Sequence, residues 1–375
     1  MTKLKNHNLG FFLTEGVSLQ DWKKAGIFSR EIEVYNILAE HFNKIYIFSA
    51  GNKEELKYQK YLKPNIKIIH NNSKYKGRLY YFLLPFFHKK TIKKCSFFKT
   101  NQMLGSQALV IIKLFINKKA KIISRTGHQL SFVRKNKKQR LGYLYALLLE
   151  FFTYKICDKA LVTSKQMRDS IVKNYKIKKD KVEIIANYIN TETFSPNPNI
   201  KKYSDRIIYI GRIIPQKNLP NLIKALKNTN VTLDLIGNKT DTSGLEKLAK
   251  NLGVKINFPL SNVPNNEIPD ILNKYKIFIL PSKWEGMPKT LLEAMSCGLS
   301  CIGTNVEGTK EVIRSGENGI LAQTNPESLR EKILKLISDE LLQKKLGENA
   351  RQFILNNYSI ENEIKKEIEI YKKLL

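Results

Sequence analysis

The sequence predicts an α/β protein of two doubly wound, Rossmann-like domains, each built on a parallel sheet. Short apolar runs alternate with longer segments of helical periodicity along the whole chain, a pattern typical of parallel strands joined by crossover helices. The 375 residues are about twice the usual length of one domain, and a hydrophobic content of 42% is enough for two cores. The same apolar content argues against a disordered chain.

Periodicity locates the expected elements. In the first half, the predicted strands are residues 9–14, 44–48, 66–69, 120–124, 160–163 and 182–185, and a helix is predicted at 29–41. In the second half, the predicted strands are residues 206–210, 231–236, 255–258, 277–280 and 300–303. The predicted helices there include residues 219–227, 244–252, 290–297 and 326–338.

A turn-rich stretch with two prolines, residues 194–199, separates the two series of elements. We therefore expect a first domain at 1–200, a linker near 195–203 and a second domain at 204–357. The remaining residues, 358–375, are expected to form a helix that packs back on the first domain. If the two sheets face each other across a cleft, ligands are expected at the carboxyl ends of their strands.

Positive charge is concentrated in the first half of the chain. The sequence carries 65 Lys and Arg against 33 Asp and Glu, for a net charge of +32. The stretch from Leu56 to Leu149 holds 22 Lys and Arg and no Asp or Glu. A region of one sign attracts an anionic surface, and the candidates are phospholipid, anionic glycan and nucleic acid. A codon bias toward lysine is the alternative explanation.

The segment from Leu79 to Lys99 mixes aromatic residues with lysines, which suits the headgroup layer of an anionic membrane. A helix with one core face and a lysine-rich outer face is the competing interpretation. No stretch reaches the ~18–20 apolar residues of a spanning helix, and residues 1–10 lack the apolar segment of a signal peptide. We therefore expect a cytoplasmic protein attached peripherally to the inner face of the cell membrane.

Four cysteines in a chain of this length do not form a disulfide framework. Cys297 and Cys301 are four residues apart, with no second pair and no histidine close by in the sequence. This spacing does not suit a zinc site, so we expect packed thiols in a reducing compartment.

The segment most indicative of chemistry is residues 281–295. A buried strand ends at a proline, a loop then carries Glu285 and Gly286, and a helix follows at Pro288. Glycine lets the backbone approach a ligand closely, and the free amides at the start of a helix favour an anionic or polar ligand. Glu293 lies about one turn into that helix, so both carboxylates can face one ligand and accept hydrogen bonds from its hydroxyls. Taken singly, each glutamate also fits a solvated surface position.

A second segment places two cations at the end of a strand. The apolar strand at residues 206–210 ends at Gly211, Arg212 follows at once, and Lys217 comes five residues later. Arginine can bind a diphosphate in bidentate fashion and lysine can neutralise it as a point charge. The competing interpretation is two ordinary surface cations among the 65 in the chain.

These segments resemble the family-4 glycosyltransferases (glycosyl transferases group 1), retaining enzymes of the GT-B fold with two Rossmann-like lobes. The matching positions are the two glutamates separated by seven residues, the cationic strand end and the loops that follow: Glu285, Glu293, Gly211, Arg212, Lys217, Asn218, 307–311 and 316–319. The resemblance is dense from about residue 158 to residue 338 and thinner before it.

The resemblance implies a role for each matching residue. Glu285 would lie beside the transferred sugar, and Glu293 would hold the ribose hydroxyls. Arg212 and Lys217 would stabilise the leaving diphosphate, a task that fits the large catalytic effect of preorganised cations. Further donor contacts are implied for Gly211, Gly286, Met287 and Pro288. In the first lobe, the family often contributes a glycine-containing loop and a histidine, for which the candidates are Gly16, Gly26 and His128.

The resemblance also implies an activity. The first lobe would bind the acceptor and the second a nucleotide sugar, and a hexosyl group would pass between them on the front face, assisted by the leaving phosphate. A UDP-sugar is favoured over a GDP-sugar as co-substrate, and no other cofactor is expected. The acceptor would be a glycan or a lipid-linked sugar in bacterial surface polysaccharide synthesis.

The sequence also allows other hypotheses about function. An epimerase of the GT-B fold would share the nucleotide-sugar site, although the two-glutamate loop argues against it. A basic nucleic-acid-binding protein would explain the charge but would leave Glu285, Glu293 and Arg212 without a role, so no nucleic-acid partner is expected. A scaffold for a partner enzyme would bind nucleotide without turnover. None of the nine aspartates lies two residues from another, so no metal is expected on the diphosphate.

Overall fold

The computed structural model describes residues 3–237, 241–260 and 263–375. The chain divides into two compact units, the first formed by Met1–Ala186 with Ile364–Leu375 and the second by Asn187–Glu363. Each unit is built on a parallel sheet with helices between its strands, so the predicted α/β class is confirmed.

The first unit holds one sheet. Its strands are β1 (Asn8–Phe12), β2 (Lys44–Phe48), β3 (Ile66–Ile69), β4 (Phe97–Thr100), β5 (Lys121–Thr126), β6 (Lys159–Val162) and β7 (Val182–Ile184). Their order is β3-β2-β1-β4-β5-β6-β7, and every neighbouring pair is parallel. The strand order reverses between β1 and β4, which is the position where doubly wound sheets bind ligands.

Helices connect these strands. They are α1 (Leu19–Lys24), α2 (Phe28–Leu38), α3 (Gly77–Phe87), α4 (Lys89–Ile92), α5 (Ser106–Ile111), α6 (Leu130–Asn136), α7 (Arg140–Ile156) and α8 (Lys165–Tyr175). Short 3-10 helices cover Lys3–Asn6, Lys53–Tyr61 and Lys179–Lys181, and a π-helical turn, Ile112–Ile116, continues α5.

The second unit repeats the plan with a smaller sheet. Its strands are β8 (Arg206–Ile210), β9 (Thr232–Ile236), β10 (Ile256–Asn257), β11 (Ile277–Leu280), β12 (Ser300–Thr304) and β13 (Ile320–Ala322). The order is β10-β9-β8-β11-β12-β13, again parallel throughout, with the reversal between β8 and β11.

The helices of the second unit follow its strands. They are α9 (Leu219–Ala225), α10 (Ser243–Leu252), α11 (Ile268–Leu272), α12 (Lys289–Ser296), α13 (Glu307–Lys310), α14 (Pro326–Ser338) and α15 (Glu340–Asn357). Two 3-10 helices cover Pro215–Lys217 and Asn265–Glu267. The last helix, α16 (Ile360–Lys373), begins in the second unit and continues into the first.

Two strands, β4 and β13, were not predicted from the sequence. In β4, Lys99 interrupts the apolar run, so the segment carried no clear strand signal, although Phe97 and Phe98 are fully buried. The prediction that the whole segment from Leu79 to Lys99 faces a membrane is therefore wrong for its last part, because a central strand of the sheet occupies it. The strand β13 is only three residues long, which is too short for a periodic pattern.

The boundary between the units also differs from the expected one. The division falls after Ala186 rather than near residue 200, because the chain after that point packs on the second unit. Ser296 Oγ donates to the Phe194 carbonyl at 2.6 Å, and Arg351 donates to the same carbonyl at 2.7 Å and to the Thr191 carbonyl at 2.9 Å. The prolines at 196 and 198 mark a turn within the second unit. At the other end of the chain, the first unit takes only the residues from Ile364 onward.

A buried ion pair holds the end of α16 in the core of the first unit. Lys99 Nζ lies 2.6 Å from Glu367 Oε1, and the two side chains are only 2% and 3% exposed. The hydroxyl of Tyr371 donates to the same carboxylate oxygen at 3.0 Å, and the ring of Tyr35 lies 5.8 Å from the lysine nitrogen. Burial lowers the pKa of Lys99, and the neighbouring Glu367 carboxylate opposes that shift. Each charge therefore depends on the other to remain in the core.

Replacing Glu367 by alanine is expected to destabilise the first unit by about 3–5 kcal/mol, because a lysine would be left buried without its partner. Denaturant unfolding of the full chain measures this loss. The matched control is Glu40→Ala, which removes a pair with Lys63 whose side chains are 56% and 41% exposed and should change the free energy of unfolding by less than about 1 kcal/mol. Equal effects of the two substitutions would contradict this account of Lys99.

Candidate functional site

The candidate site of the second unit lies where its strand order reverses. Strands β8 and β11 are direct neighbours, with Ile207 paired to Ile277 and Ile208 to Phe278. Because the strands are parallel, their carboxyl ends emerge at the same edge of the sheet. The loop that begins at Gly211 and the loop of residues 281–288 therefore start side by side, as expected for a ligand site in a doubly wound sheet.

The contact that joins the two loops is an ion pair between Lys217 and Glu285. Lys217 ends the 3-10 helix after β8, and its Nζ contacts Glu285 Oε1. The two side chains are 11% and 6% exposed. The hydroxyl of Ser282 donates to the same carboxylate oxygen at 2.6 Å, so this oxygen accepts from two donors. The carboxylate is thus fixed in place by both of the strand ends it lies between.

Amide side chains reinforce the same connection. Gln216 Nε2 donates to the carbonyl of Trp284 at 2.8 Å. Asn218 Nδ2 donates to the carbonyls of Pro281 and Thr324 at 3.0 and 2.8 Å. The backbone of Asn218 has a φ of 57°, a left-handed conformation that asparagine tolerates better than most residues. This conformation starts α9 and turns the amide toward the loop that carries Glu285.

The loop that carries Glu285 is also held by a close backbone approach. A Cβ added to Gly308, in α13, would lie 1.5 Å from the carbonyl oxygen of Gly286 and 2.8 Å from that of Glu285. No side chain fits at such a distance, so the approach requires glycine. Thr304 Oγ1 donates to the Ser282 carbonyl at 2.5 Å from the end of the neighbouring strand β12. The loop is therefore packed directly against the backbone of α13 and hydrogen-bonded to the end of β12.

Tyr209 supports the other side of the site. Its hydroxyl donates to the carbonyl of Arg212 at 2.9 Å, and burial raises the pKa of Tyr209, with a further contribution from the Glu285 carboxylate. A Cβ on Gly211 would lie 2.6 Å from that hydroxyl, and one on Gly237 would lie 2.0 Å from the Gly211 carbonyl oxygen. Glycine at position 211 thus serves packing at the strand end.

The two predicted cations differ in burial and in pairing. Lys217 is buried and paired, whereas Arg212 is exposed and has no carboxylate of the described residues within ion-pair distance. An exposed guanidinium at the edge of a sheet can make bidentate contacts with an anion that arrives from solvent. Lys217 can act on such an anion only together with Glu285.

The helix α12 begins directly after this loop, and Pro288 precedes its first residue. Its amino terminus carries the free N–H groups and the positive end of the helix dipole. Glu293, on this helix, is 2% exposed, and its Oε1 accepts from Asn265 Nδ2 at 3.0 Å. The carbonyl of Met287 accepts from Asn187 Nδ2 at 2.7 Å. Glu285, Gly286, Met287 and Pro288 directly precede α12 in the chain, and Glu293 lies one turn into the helix.

The three candidates in the first unit lie in different loops, two of which follow strands. Gly16 is in the exposed turn after β1, with a φ of 76°, and His128 is exposed in the bend after β5. The amide of Gly127, beside this histidine, donates to Gln102 Oε1 at 2.9 Å, which connects the ends of β4 and β5. Gly26 lies in the turn between α1 and α2, with a φ of 70°.

A polar cluster around Glu15, after β1, was not predicted from the sequence. Gln107 Nε2 donates to Glu15 Oε2 at 2.5 Å, and Arg78 Nε lies 3.6 Å from Glu15 Oε1. Gly105 has a φ of 112°, and a Cβ there would lie 3.1 Å from the Leu13 carbonyl oxygen. The cluster lies at the reversal point of this sheet, but its members are distant in sequence and belong to no motif we could read.

Among the described residues, no three His, Cys, Asp or Glu side chains come together as a metal site. All four cysteines fall within the described ranges, and each is buried and unbridged. Burial raises the pKa of the Cys297 thiol to about 12, with a further contribution from Glu293. Cys297 and Cys301 are therefore packed thiols, as predicted.

Two family models match adjacent parts of the chain. The model described as Glycosyltransferase Family 4 matches residues 33–193, and the model described as Glycosyl transferases group 1 matches residues 190–353. The second match includes Arg212, Lys217, Glu285 and Glu293. The chain belongs to the family 4, group 1 glycosyltransferases.

Curated relatives of this glycosyltransferase are distant. An uncharacterized glycosyltransferase of Methanocaldococcus jannaschii is 28% identical over 292 residues, which cover 74% of each chain. The UDP-Gal:alpha-D-GlcNAc-diphosphoundecaprenol alpha-1,3-galactosyltransferase of Escherichia coli is 27% identical over 270 residues, 66% of this chain and 68% of its own. Both relatives are glycosyltransferases, and the substrates in the E. coli name are those of the E. coli protein.

The fold is that of solved glycosyltransferase structures. HepE of Anabaena, solved in complex with UDP and glucose, superimposes with a TM-score of 0.78 at 15% identity, over 98% of this chain and all of its own. At this identity the likeness establishes the fold alone. The glycosyltransferase therefore has the GT-B architecture, as predicted.

Gly308→Ala is expected to destabilise the second unit by about 1–3 kcal/mol, because the added methyl group would force apart the backbones of α13 and the loop carrying Glu285. Thermal unfolding of the full chain measures the effect. Gly244→Ala in α10 is the matched control, since a Cβ there meets nothing within 4 Å and should leave the midpoint unchanged or slightly raised. A Gly308→Ala protein as stable as the wild type would contradict the close approach.

Proposed function

We propose that the glycosyltransferase moves a hexosyl group, with retention of configuration, from a nucleoside-diphosphate sugar to a glycan or lipid-linked acceptor in bacterial surface polysaccharide synthesis. The observation that carries the proposal is an ion pair between Lys217 and Glu285 at the strand reversal of the second unit, in the loop that leads into α12. This arrangement offers fixed cations and free amides to a diphosphate and a fixed carboxylate to a sugar.

The site has cations where the reaction develops negative charge. The bond between the anomeric carbon and the diphosphate oxygen breaks, and negative charge develops on the leaving diphosphate. Arg212, exposed beside the strand end, and Lys217, held by Glu285, would stabilise that charge. Preorganised cations aimed at developing charge lower a barrier because they need no rearrangement during the reaction.

Retention follows if the acceptor attacks on the face from which the diphosphate departs. The acceptor hydroxyl then forms a bond to the anomeric carbon, and its proton passes to the departing phosphate oxygen. In this scheme Glu285 is not a covalent nucleophile. Its ion pair with Lys217 and its hydrogen bond from Ser282 support that assignment, since both hold the carboxylate in its place.

The donor, the acceptor and the location are proposed from the relatives. A UDP-sugar is favoured because the E. coli relative is named for UDP-galactose and the Anabaena structure contains UDP. The same E. coli name supports a sugar on a diphosphate lipid as acceptor. Such an acceptor would place the reaction at the inner face of the cell membrane, with the protein in the cytoplasm. The proposed transfer uses no metal and no further cofactor.

Replacing Glu285 by glutamine or alanine should lower the rate of sugar transfer by at least about a hundredfold, because the carboxylate is lost beside the sugar and Lys217 loses its partner. Nucleotide binding should be largely retained. Release of UDP from a UDP-sugar in the presence of acceptor measures the rate, and the thermal shift with UDP measures binding. Glu331→Gln, a 67% exposed carboxylate on α14, is the control and should change neither. Full transfer by Glu285→Ala would remove this residue from the mechanism.

Thermal unfolding with UDP, GDP, ADP and a short DNA duplex, all with chelator present, should show a raised midpoint for one diphosphate. Ligand at ~100 times its dissociation constant stabilises the folded state by about 2.7 kcal/mol. Arg212→Ala should reduce the shift. Stabilisation by DNA alone would overturn the transferase proposal, and stabilisation only after addition of a divalent cation would overturn metal independence.

A further inference from the structure

One face of the first unit exposes many large apolar side chains. They project from α3, from the π-helical turn after α5, from α6 and from α7, and we call this set the apolar face: Leu79, Phe82, Phe86, Phe87, Leu114, Phe115, Phe132, Leu141, Leu144, Leu148, Phe151 and Phe152. Each is between 39% and 85% exposed. Single exposed apolar residues are ordinary on a protein surface, but a group of this size on adjoining helices indicates an interaction site.

The helix α7 has two apolar sides. Its inner side packs in the core through Ala146, Leu149 and Tyr154. Its outer side carries Leu141, Leu144, Leu148, Phe151 and Phe152, which recur at helical spacing and are 44% to 85% exposed. A helix that is apolar on both sides is buried on both sides in its working environment. Since the core covers one side, something else covers the other.

The helices that carry the apolar face touch one another. The buried helix α5 packs against both α3 and α7, and α6 packs against α7. The guanidinium of Arg78, at the start of α3, lies 3.9 Å from the ring centre of Tyr145 on α7. The exposed side chains of α3 and α7 therefore belong to one surface of the first unit. Of the segment predicted to face a membrane, only α3 contributes side chains to the apolar face.

Most charged residues in the chain segment that forms the apolar face are positive. From Leu56 to Leu149 the chain has 22 Lys and Arg and no Asp or Glu. The end of α6, the link after it and the first residue of α7 carry exposed Lys135, Lys137, Lys138 and Arg140. The first acidic residue after this stretch, Glu150, is fully buried, where it accepts from the amide of Ser131 at 3.1 Å. Two carboxylates from outside this stretch contact cations of the elements that carry the face, Glu15 with Arg78 at 3.6 Å and Asp158 with Lys113 at 3.4 Å. The remaining cations leave the face positive.

We propose that the apolar face of the first unit docks on an anionic lipid bilayer, with α7 lying in the interface. The inference rests on the proposed function, since an acceptor carried by a lipid requires the enzyme at the membrane. Leucine and phenylalanine side chains enter the acyl boundary while the flanking lysines and arginines meet anionic headgroups. A nucleic acid would use the cations but gains little from the exposed leucines. No helix among the described residues is long and apolar enough to cross a bilayer, so the contact is peripheral.

Flotation of the full chain with vesicles tests the proposal. The protein should float with phosphatidylcholine vesicles containing phosphatidylglycerol and much less with phosphatidylcholine alone. The double substitution Leu141→Ser, Leu148→Ser should weaken binding by about tenfold or more, since two apolar anchors are lost. The triple substitution Lys135→Gln, Lys137→Gln, Lys138→Gln should weaken it by about a hundredfold, at about fivefold for each charge.

Matched controls distinguish binding by the apolar face from nonspecific binding by other exposed leucines and lysines. Leu341→Ser with Leu375→Ser removes leucines that are 84% and 50% exposed elsewhere, against 85% and 59% for Leu141 and Leu148. Lys247→Gln, Lys250→Gln, Lys255→Gln removes three exposed lysines of the second unit. Both controls should float like the wild type. Equal losses in the variants and their controls would overturn the proposal.

Other outcomes identify a different occupant or a failure elsewhere. Failure of the wild type to float, with a normal thermal shift from a nucleoside diphosphate, would overturn the membrane inference and leave the transferase proposal standing. Flotation without any response to nucleotides would do the reverse. A dimer in light scattering that becomes a monomer on Leu141→Ser, Leu148→Ser, without vesicle binding, would assign the face to a second copy. Binding of a DNA duplex that depends on the three lysines but not on the two leucines would assign it to nucleic acid.

Discussion

The main-chain hydrogen bonds between β8 and β11 determine where the candidate site forms. They hold two strands with 66 intervening residues side by side, so that the segment after each strand begins at one edge of the sheet. The ion pair of Lys217 with Glu285, the amide contacts of Gln216 and Asn218, and the hydroxyl of Ser282 all cross between these two segments. Without this strand pairing, none of these side chains would be within reach of its partner.

Two buried ion pairs among the described residues have different surroundings. Lys99 and Glu367 lie in the core, with Tyr35 and Tyr371 around them, and serve the packing of the last helix. Lys217 and Glu285 lie at a strand end, with an exposed arginine and the start of a helix beside them. A charge pair in a core contributes mainly through the cost of breaking it, whereas a pair at a sheet edge can also exchange partners with a ligand.

The parts of the fold that were predictable from sequence are those with a local signal. The strands β8 and β11 are apolar runs with nearly every residue buried, and the helix α14 has the predicted bounds. The strand β4 was not predictable because Lys99 finds its carboxylate 268 residues away. The prolines near residue 197 indicated a turn, but a turn does not reveal which unit the chain packs on.

The residues of the candidate site also include some that the sequence predicts and some that it does not. Glu285, Glu293, Gly211, Arg212 and Lys217 stood in recognisable motifs and lie near the strand reversal of the second unit. The support around them was not visible in advance, since Tyr209, Asn265 and Gly308 act through distances and burial that only the folded chain displays. In the first unit, where motifs are sparse, the sequence offered Gly26 at a turn between helices and missed the cluster around Glu15.

The position of Glu367 has a consequence for the order in which the protein can mature. Domains generally fold as they leave the ribosome, at about 5–20 residues per second. All seven strands of the first sheet have been synthesised by residue 184, yet the carboxylate that neutralises Lys99 is made more than 180 residues later. Throughout that interval the nascent first unit lacks the carboxylate that pairs with Lys99. Its core is completed only after Glu367 has been synthesised, which is later than the synthesis of every strand of the second sheet.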